Sequence, residues 1–318
     1  MAQSEKKAPT IVFMGTPEFA VPSLKALVDA GFLVKAVVTA PDKPKGRNRK
    51  KLFPPPVKEA ALGLGLEVLA PASLKDPAFF EKLAALAPDF LAVAAFGRIL
   101  GPQILFLPRL FCLNVHPSLL PLYRGPAPIQ HVILNGDAVT GVTIMAMNTG
   151  VDTGDILLQE QTPVFKGETA ADLETRLARK GADLLVRAVQ KALAGELAPI
   201  PQDDTKATFA PLLTKESGRV DWSEPARRIE CLVLAMNPWP GAFTFFDAKR
   251  IKIHEAAVWP ENTNAKPGTV LAASNKGLLV ATGNGAVNLT SLQGEAARKM
   301  PAGEFLRGNP VPVGSTLG

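Results

Sequence analysis

Ile11-Val12-Phe13-Met14-Gly15-Thr16-Pro17-Glu18-Phe19 is the stretch on which the fold turns. Four apolar residues follow one another without alternation and stop at a glycine, the pattern of a strand covered on both faces. Residues 17–30 then carry apolar side chains at helical spacing (Phe19, Leu24, Leu27, Val28), ending at Gly31. Residues 34–39 give a second strand. The same alternation continues outward, with strands predicted at 66–69, 90–95 and 112–116 and helical segments between them, such as 78–86. Strand–helix alternation predicts an α/β fold with a parallel sheet covered on both faces. Later strands are expected at 141–147 and 156–164, and a long amphipathic helix at 169–194 closes this domain.

The composition shifts after Gly195, where Pro199, Pro201, Asp203 and Asp204 read as a linker. Beyond it a helix at 226–235 precedes short strands at 242–246, 251–256, 269–272, 278–282 and 287–292, broken by Gly, Pro and Asn. Short strands at near-regular spacing predict a small β-barrel. The expected organisation is a first domain over 1–196, a linker over 197–208 and a barrel domain over 209–318. A chain of 318 residues, 47% hydrophobic and 20% charged, has ample material for two cores. No run reaches the ~18–20 apolar residues of a membrane span. The first residues lack the apolar segment of a signal peptide. Two cysteines, Cys112 and Cys231, are too few for a disulfide framework. Together these features predict a cytoplasmic protein.

The net charge of +6 is concentrated in one place. Residues 41–60 hold seven basic and two acidic side chains, most of them in Pro41-Asp42-Lys43-Pro44-Lys45-Gly46-Arg47-Asn48-Arg49-Lys50-Lys51. Such a segment repels itself and is expected as an exposed loop. It suits either a polyanionic partner or plain solvation. With no aromatic residue before Phe53, phosphate contact is favoured over base stacking.

The motifs exclude several chemistries. The turn after the first strand has one glycine and a proline where a dinucleotide fingerprint needs three glycines. There is no phosphate-cradling G-x-x-x-x-G-K-[ST], no H-E-x-x-H and no G-x-S-x-G. Only three histidines remain as acid–base groups near neutral pH. His254 reads as a structural residue of a barrel strand, and His131 as a half-exposed residue of a helix at 126–135. His116 ends an apolar strand two residues after Asn114, so both side chains project to one side. An amide and an imidazole at the carboxyl end of a strand can stabilise an oxyanion and move a proton. Downstream, Asn148-Thr149-Gly150-Val151-Asp152-Thr153-Gly154-Asp155 can bring a carboxylate to the imidazole and raise its pKa. The same residues also suit ordinary turn chemistry.

Asn114-Val115-His116-Pro117-Ser118-Leu119-Leu120-Pro121, with Tyr123-Arg124-Gly125, Pro128-Ile129-Gln130, Gly141-Val142-Thr143 and Asp152-Thr153-Gly154-Asp155, resembles the folate-dependent formyltransferases. Met14-Gly15-Thr16-Pro17-Glu18-Phe19, the basic loop, and Asn237-Pro238-Trp239-Pro240-Gly241-Ala242 are similar to the members that act on tRNA. The resemblance covers residues 9 to 307 and implies a Rossmann-like catalytic domain followed by an OB-like barrel that helps to hold tRNA. It implies formyl transfer from 10-formyltetrahydrofolate to the free amino group of methionyl initiator tRNA. An activated formyl donor needs only acid–base groups, so no metal is expected, and a monomer is the default expectation. Asn114, His116 and Asp152 correspond to the family's catalytic set. Ser118, Leu119, Leu120 and Pro121 correspond to its folate-binding stretch. Arg47 corresponds to a loop arginine associated with tRNA, and Arg49, Lys50 and Lys51 extend that tRNA-binding charge. On this reading Asn114 and a protonated His116 paired with Asp152 donate to the oxyanion, while His116 or a water held by Asp152 relays the proton. Formyltransferases of small amines, a formyl hydrolase, and an RNA-binding protein without catalysis are the alternatives.

Overall fold

The computed structural model describes residues 8–44, 52–261 and 263–318. Arg47, Arg49, Lys50 and Lys51 lie outside the described residues. The chain divides into two compact units. The first comprises Met1–Gly125, Thr140–Thr162 and Glu174–Phe209, and the second Pro126–Val139, Pro163–Leu173 and Ala210–Gly318.

The first unit is built on β1 (Thr10–Gly15), α1 (Val21–Asp29), β2 (Leu33–Val38), the short pair β3 (Lys43–Pro44) and β4 (Leu52–Phe53), α2 (Pro56–Gly63) and β5 (Val68–Leu69). It continues with α3 (Pro77–Ala85), β6 (Phe90–Ala94), α4 (Pro102–Leu105) and β7 (Phe111–His116). Next along the chain come α5 (Pro128–Asn135), which belongs to the second unit, then β8 (Val139–Ala146), β9 (Ile156–Pro163) and the long helix α6 (Ala170–Ala194), whose first turn also falls in the second unit. The seven-stranded sheet has the order β5-β2-β1-β6-β7-β8-β9. Alternate residues of its strands, Val12 and Met14, Ala36 and Val38, Leu91 and Val93, enter one apolar cluster with Phe79, Leu83 and Ile104. Their neighbours Ile11, Phe13, Val37 and Ala92 are fully buried too, so the strands are covered on both faces as the unbroken apolar runs require.

Five strands from β5 to β7 run parallel. The sheet departs from the all-parallel expectation at β8, which runs antiparallel to β7, pairing Leu113 with Ala146 and His116 with Thr143. The reason lies in the connection. The only helix between the two strands, α5, belongs to the second unit. The chain therefore makes no helical crossover on the sheet and re-enters beside the carboxyl end of β7.

In the second unit α5 packs on α7 (Ala226–Ala235), and α7 lies against β11. The strands are β10 (Ala242–Phe246), β11 (Lys249–Trp259), β12 (Val270–Ser274), β13 (Gly277–Ala281), β14 (Ala286–Gln293) and β15 (Met300–Pro301), followed by α8 (Ala302–Gly308). They form an antiparallel sheet in the order β10-β11-β14-β13-β12, with β15 beside β14. The last residues join its two edges. Val270 N–H donates to the Ser315 carbonyl (2.8 Å) and Leu317 N–H to that of Gly268 (2.9 Å), while Gly318 N–H reaches the Phe245 carbonyl of β10 (3.0 Å). The tail thus pairs what would be open strand edges. No helix among the described residues is long and apolar enough to cross a membrane.

Candidate active site

All of the site's named groups lie in the first unit. Asn114 and His116 stand on β7, whose ladder is fixed on both sides: Asn114 lies opposite Val93 of β6 and Met145 of β8, and His116 opposite Thr143. His116 is 4% exposed. Its Nε2 lies 3.0 Å from the Tyr123 carbonyl, so Nε2 carries the proton, because a lone pair there would face another lone pair. Nδ1 faces Asp152 Oδ2 at 3.6 Å, beyond hydrogen-bond length but close enough for strong charge attraction. Burial pushes the imidazole pKa down, while the Asp152 charge and the Tyr123 carbonyl push it up; burial prevails. The rise expected from the Asp152 charge is present, but burial outweighs it. Nδ1, the ring nitrogen not engaged by the Tyr123 carbonyl, is turned towards a carboxylate.

The Asn114 side chain is half-buried and makes no hydrogen bond among the described residues. An amide in this state is open to a ligand. Asp152 reaches His116 from the loop between β8 and β9. Its Oδ2 accepts the Gly125 N–H at 2.8 Å, and its backbone is left-handed, with φ +54°. Turn chemistry in this loop belongs to Asn148, whose Oδ1 accepts Gly150 N–H (3.0 Å) and the Thr153 hydroxyl (2.8 Å). The Asp152 carboxylate is thus left facing the imidazole. Gly154 is required for close approach, since a Cβ there would run into the Ala146 carbonyl.

The stretch Ser118–Pro121 splits into two roles. Ser118 is fully buried and donates to the Leu122 carbonyl at 2.6 Å. Leu120 is buried, and its N–H donates to Thr143 Oγ1 (3.1 Å), which itself donates to the Ser118 carbonyl (2.7 Å). Gln159 Nε2 caps the same network on the Leu120 carbonyl at 2.7 Å. Leu119 and Pro121, with Pro117, remain half-exposed beside His116. Of the four residues, therefore, Leu119 and Pro121 offer side-chain surface to a ligand, and Ser118 and Leu120 hold the turn in shape. Gly141 permits this, because a Cβ on it would overlap Leu119.

Arg124 is 5% exposed, and its guanidinium bonds Gln202 and Asp204 from the segment read as a linker. Ile200 exchanges two backbone hydrogen bonds with Ile156 (2.8 and 2.9 Å), and Thr208 Oγ1 accepts the Tyr123 N–H at 2.8 Å. Sequence reasoning quoted Arg124 and Thr143 within runs but gave them no task, and it missed Gln202 altogether. A buried arginine signals a partner, yet nothing local marks which residue supplies it.

The other histidines are bound up structurally. His131 Nε2 meets the Pro211 carbonyl at 3.1 Å, and His254 Nε2 meets Gln293 Oε1 at 2.9 Å. Both cysteines are free and buried. Among the described residues no three His, Cys, Asp or Glu side chains gather to hold a metal ion.

The model of the Formyl transferase family matches residues 9–189, and that of the Formyl transferase C-terminal domain matches residues 212–310. The chain is 48% identical to the methionyl-tRNA formyltransferase of Syntrophus aciditrophicus, over 97% of this chain and 99% of that protein. It is likewise 48% identical to the methionyl-tRNA formyltransferase of Pelotomaculum thermopropionicum, over 97% of this chain and 98% of that protein. Among solved structures, an N-formyltransferase of Helicobacter canadensis, complexed with folinic acid and dTDP-3-aminofucose, shares the fold. It aligns with a TM-score of 0.67 at 17% identity, covering 89% of this chain and 99% of that one.

Proposed function

The chain belongs to the methionyl-tRNA formyltransferases, and on that footing we propose that Asn114, His116 and Asp152 carry the transfer of a formyl group to methionyl initiator tRNA. The observation that carries the reading is a buried imidazole whose second nitrogen faces a carboxylate, on the same strand face as an amide with no partner among the described residues. Such a set suits acyl transfer to an amine. The formyl donor we assign is 10-formyltetrahydrofolate, as a co-substrate that supplies an activated one-carbon acyl group. The half-exposed apolar surface of Pro117, Leu119 and Pro121, which directly follow the strand carrying Asn114, suits a flat heteroaromatic group.

Asn114 Nδ2 donates to the oxygen that becomes negative as the amine adds to the formyl carbon. His116 Nδ1 accepts the proton that the attacking amine sheds, and the imidazolium so formed is stabilised by Asp152 at 3.6 Å. The same proton is then available to the departing nitrogen, and His116 returns to neutral. Asp152 keeps its charge throughout and steadies the ring. No step in this scheme calls on a metal.

Residues 1–196 form the catalytic domain of this proposal, 197–208 the connecting segment, and 209–318 the OB-like, tRNA-binding domain. Arg47, Arg49, Lys50 and Lys51 contact tRNA phosphates, each neutralised phosphate steepening the salt dependence of binding. The protein works as a monomer in the cytoplasm. Purified protein given labelled 10-formyltetrahydrofolate should formylate initiator methionyl-tRNA, and elongator methionyl-tRNA poorly. Transfer to small amines but not to tRNA would sink the tRNA reading. Release of formate without any acceptor would point to a hydrolase.

A further inference from the structure

Gln202 occupies a position that a linker has no need to fill. Its amide is fully used. Nε2 donates both hydrogens across the loop, to the Asp152 carbonyl (2.9 Å) and the Gly154 carbonyl (2.7 Å). Oε1 accepts from Arg124 twice, from Nε at 3.0 Å and Nη2 at 2.8 Å. Nη2 also donates to Asp204 Oδ1 at 2.7 Å. The next residue after Arg124, Gly125, donates its N–H to the Asp152 carboxylate. The residue before it, Tyr123, presents its carbonyl to His116 Nε2. One short run, 123–125, therefore touches the imidazole, the carboxylate and, through Arg124, the amide that grips the carboxylate's own backbone. Asp152 sits in left-handed backbone, which a non-glycine residue keeps only when its surroundings hold it there.

We infer that Gln202, oriented by Arg124, is a positioning residue that clamps the 152–154 backbone and so sets the Asp152 carboxylate against His116 for turnover. The inference rests on the functional reading above. It does not assign Gln202 any contact with substrate. The charged groups around the ring are Asp152 in front and the Arg124–Asp204 pair behind the clamp.

Two variants test it. Gln202→Glu keeps the size and an acceptor for Arg124 but places an oxygen against the two carbonyls, where a donor is needed. Gln202→Met keeps the length and removes every polar contact. Initial rates are measured with both substrates varied, and the His116 ring is titrated by NMR, assigned with His131→Gln and His254→Gln variants. We expect kcat to fall roughly 10- to 100-fold, the loss seen when residues orienting metal ligands are removed. KM for tRNA and for folate should change little, and in Gln202→Met, which brings in no new charge, the His116 midpoint should move to lower pH, towards its value in Asp152→Asn. A lower melting temperature with unchanged kcat and midpoint would make Gln202 a structural strut and overturn the proposal. Reduced turnover with an unmoved midpoint, or a moved midpoint with full turnover, would overturn it as well. If the unaltered protein transfers no formyl group, the functional reading has failed. The NMR midpoint then decides the clamp alone. A variant that does not fold leaves the other to decide, and unfolding of both counts against a positioning role.

Discussion

Two stretches of the first unit bring together the groups proposed for the chemistry, and they do so by opposite means. β7 delivers Asn114 and His116 through a regular ladder, paired on one side with β6 and on the other with β8. The loop between β8 and β9 delivers Asp152 through individual contacts: one N–H from Gly125, two bonds from Gln202, and a glycine at 154 that lets two chain segments touch. A ladder spreads its tolerance over many bonds, whereas a loop held by three or four contacts loses its geometry when one is removed. Truncations on β7 should therefore remove a function and leave the framework. Changes in the loop should displace a group that is still present.

The largest expected effect is on β7. Asn114→Ala and His116→Ala should each lower kcat by about 10²–10³-fold, the usual cost of a missing oxyanion donor or proton-transfer group. Their circular dichroism should match the unaltered protein. Near-normal turnover in either variant would remove the strand from the chemistry. Next comes Asp152→Asn, which can still accept the Gly125 N–H but carries no charge; we expect a loss on the order of 10²-fold. The sign of its titration is fixed. Burial already holds His116 below the ordinary value of about 6.5, and Asp152 offsets part of that drop. Without the charge the NMR midpoint must move further to the acid side, and a move upwards would contradict the geometry.

Smaller effects separate framework from loop. In Gly154→Ala the added methyl group meets the Ala146 carbonyl, and about 1–3 kcal/mol of overpacking is expected, read from urea unfolding. Turnover should fall with it, because Gln202 grips the Gly154 carbonyl. The smallest effect is on thiol labelling. Cys112 lies buried on β7, and burial pushes its thiol pKa up to about 12, so it should resist modification in the native protein. A cysteine placed at Val151, which is 62% exposed in the loop, should react readily. Equal labelling of the two would erase the distinction between rigid strand and open loop.

Much of this was legible in the residues. The unbroken apolar runs at 11–14 and 90–95 told of a sheet covered on both faces. The two-residue spacing of Asn114 and His116 told that they share a face. A helix at 226–235 and the strand at 242–246 were read to the residue. The antiparallel turn of β8 was not legible, since periodicity gives no strand direction and α5 looked like any crossover helix. The direction of the His116 shift was not legible either, because burial is a property of what packs around the ring. Nor could residues 197–208 betray their engagement: prolines and aspartates look alike in a free linker and in a strap bonded to Arg124.

The sequence by itself determined the main elements, the three candidate reactive groups and the family likeness, because side-chain period and residue chemistry are local properties written in order along the chain. Only the tertiary structure decided how those groups meet. The meeting of the imidazole with Asp152 and the grip of Gln202 on the Asp152 loop arise between residues 36 and 50 positions apart, and no local pattern encodes a contact across that span.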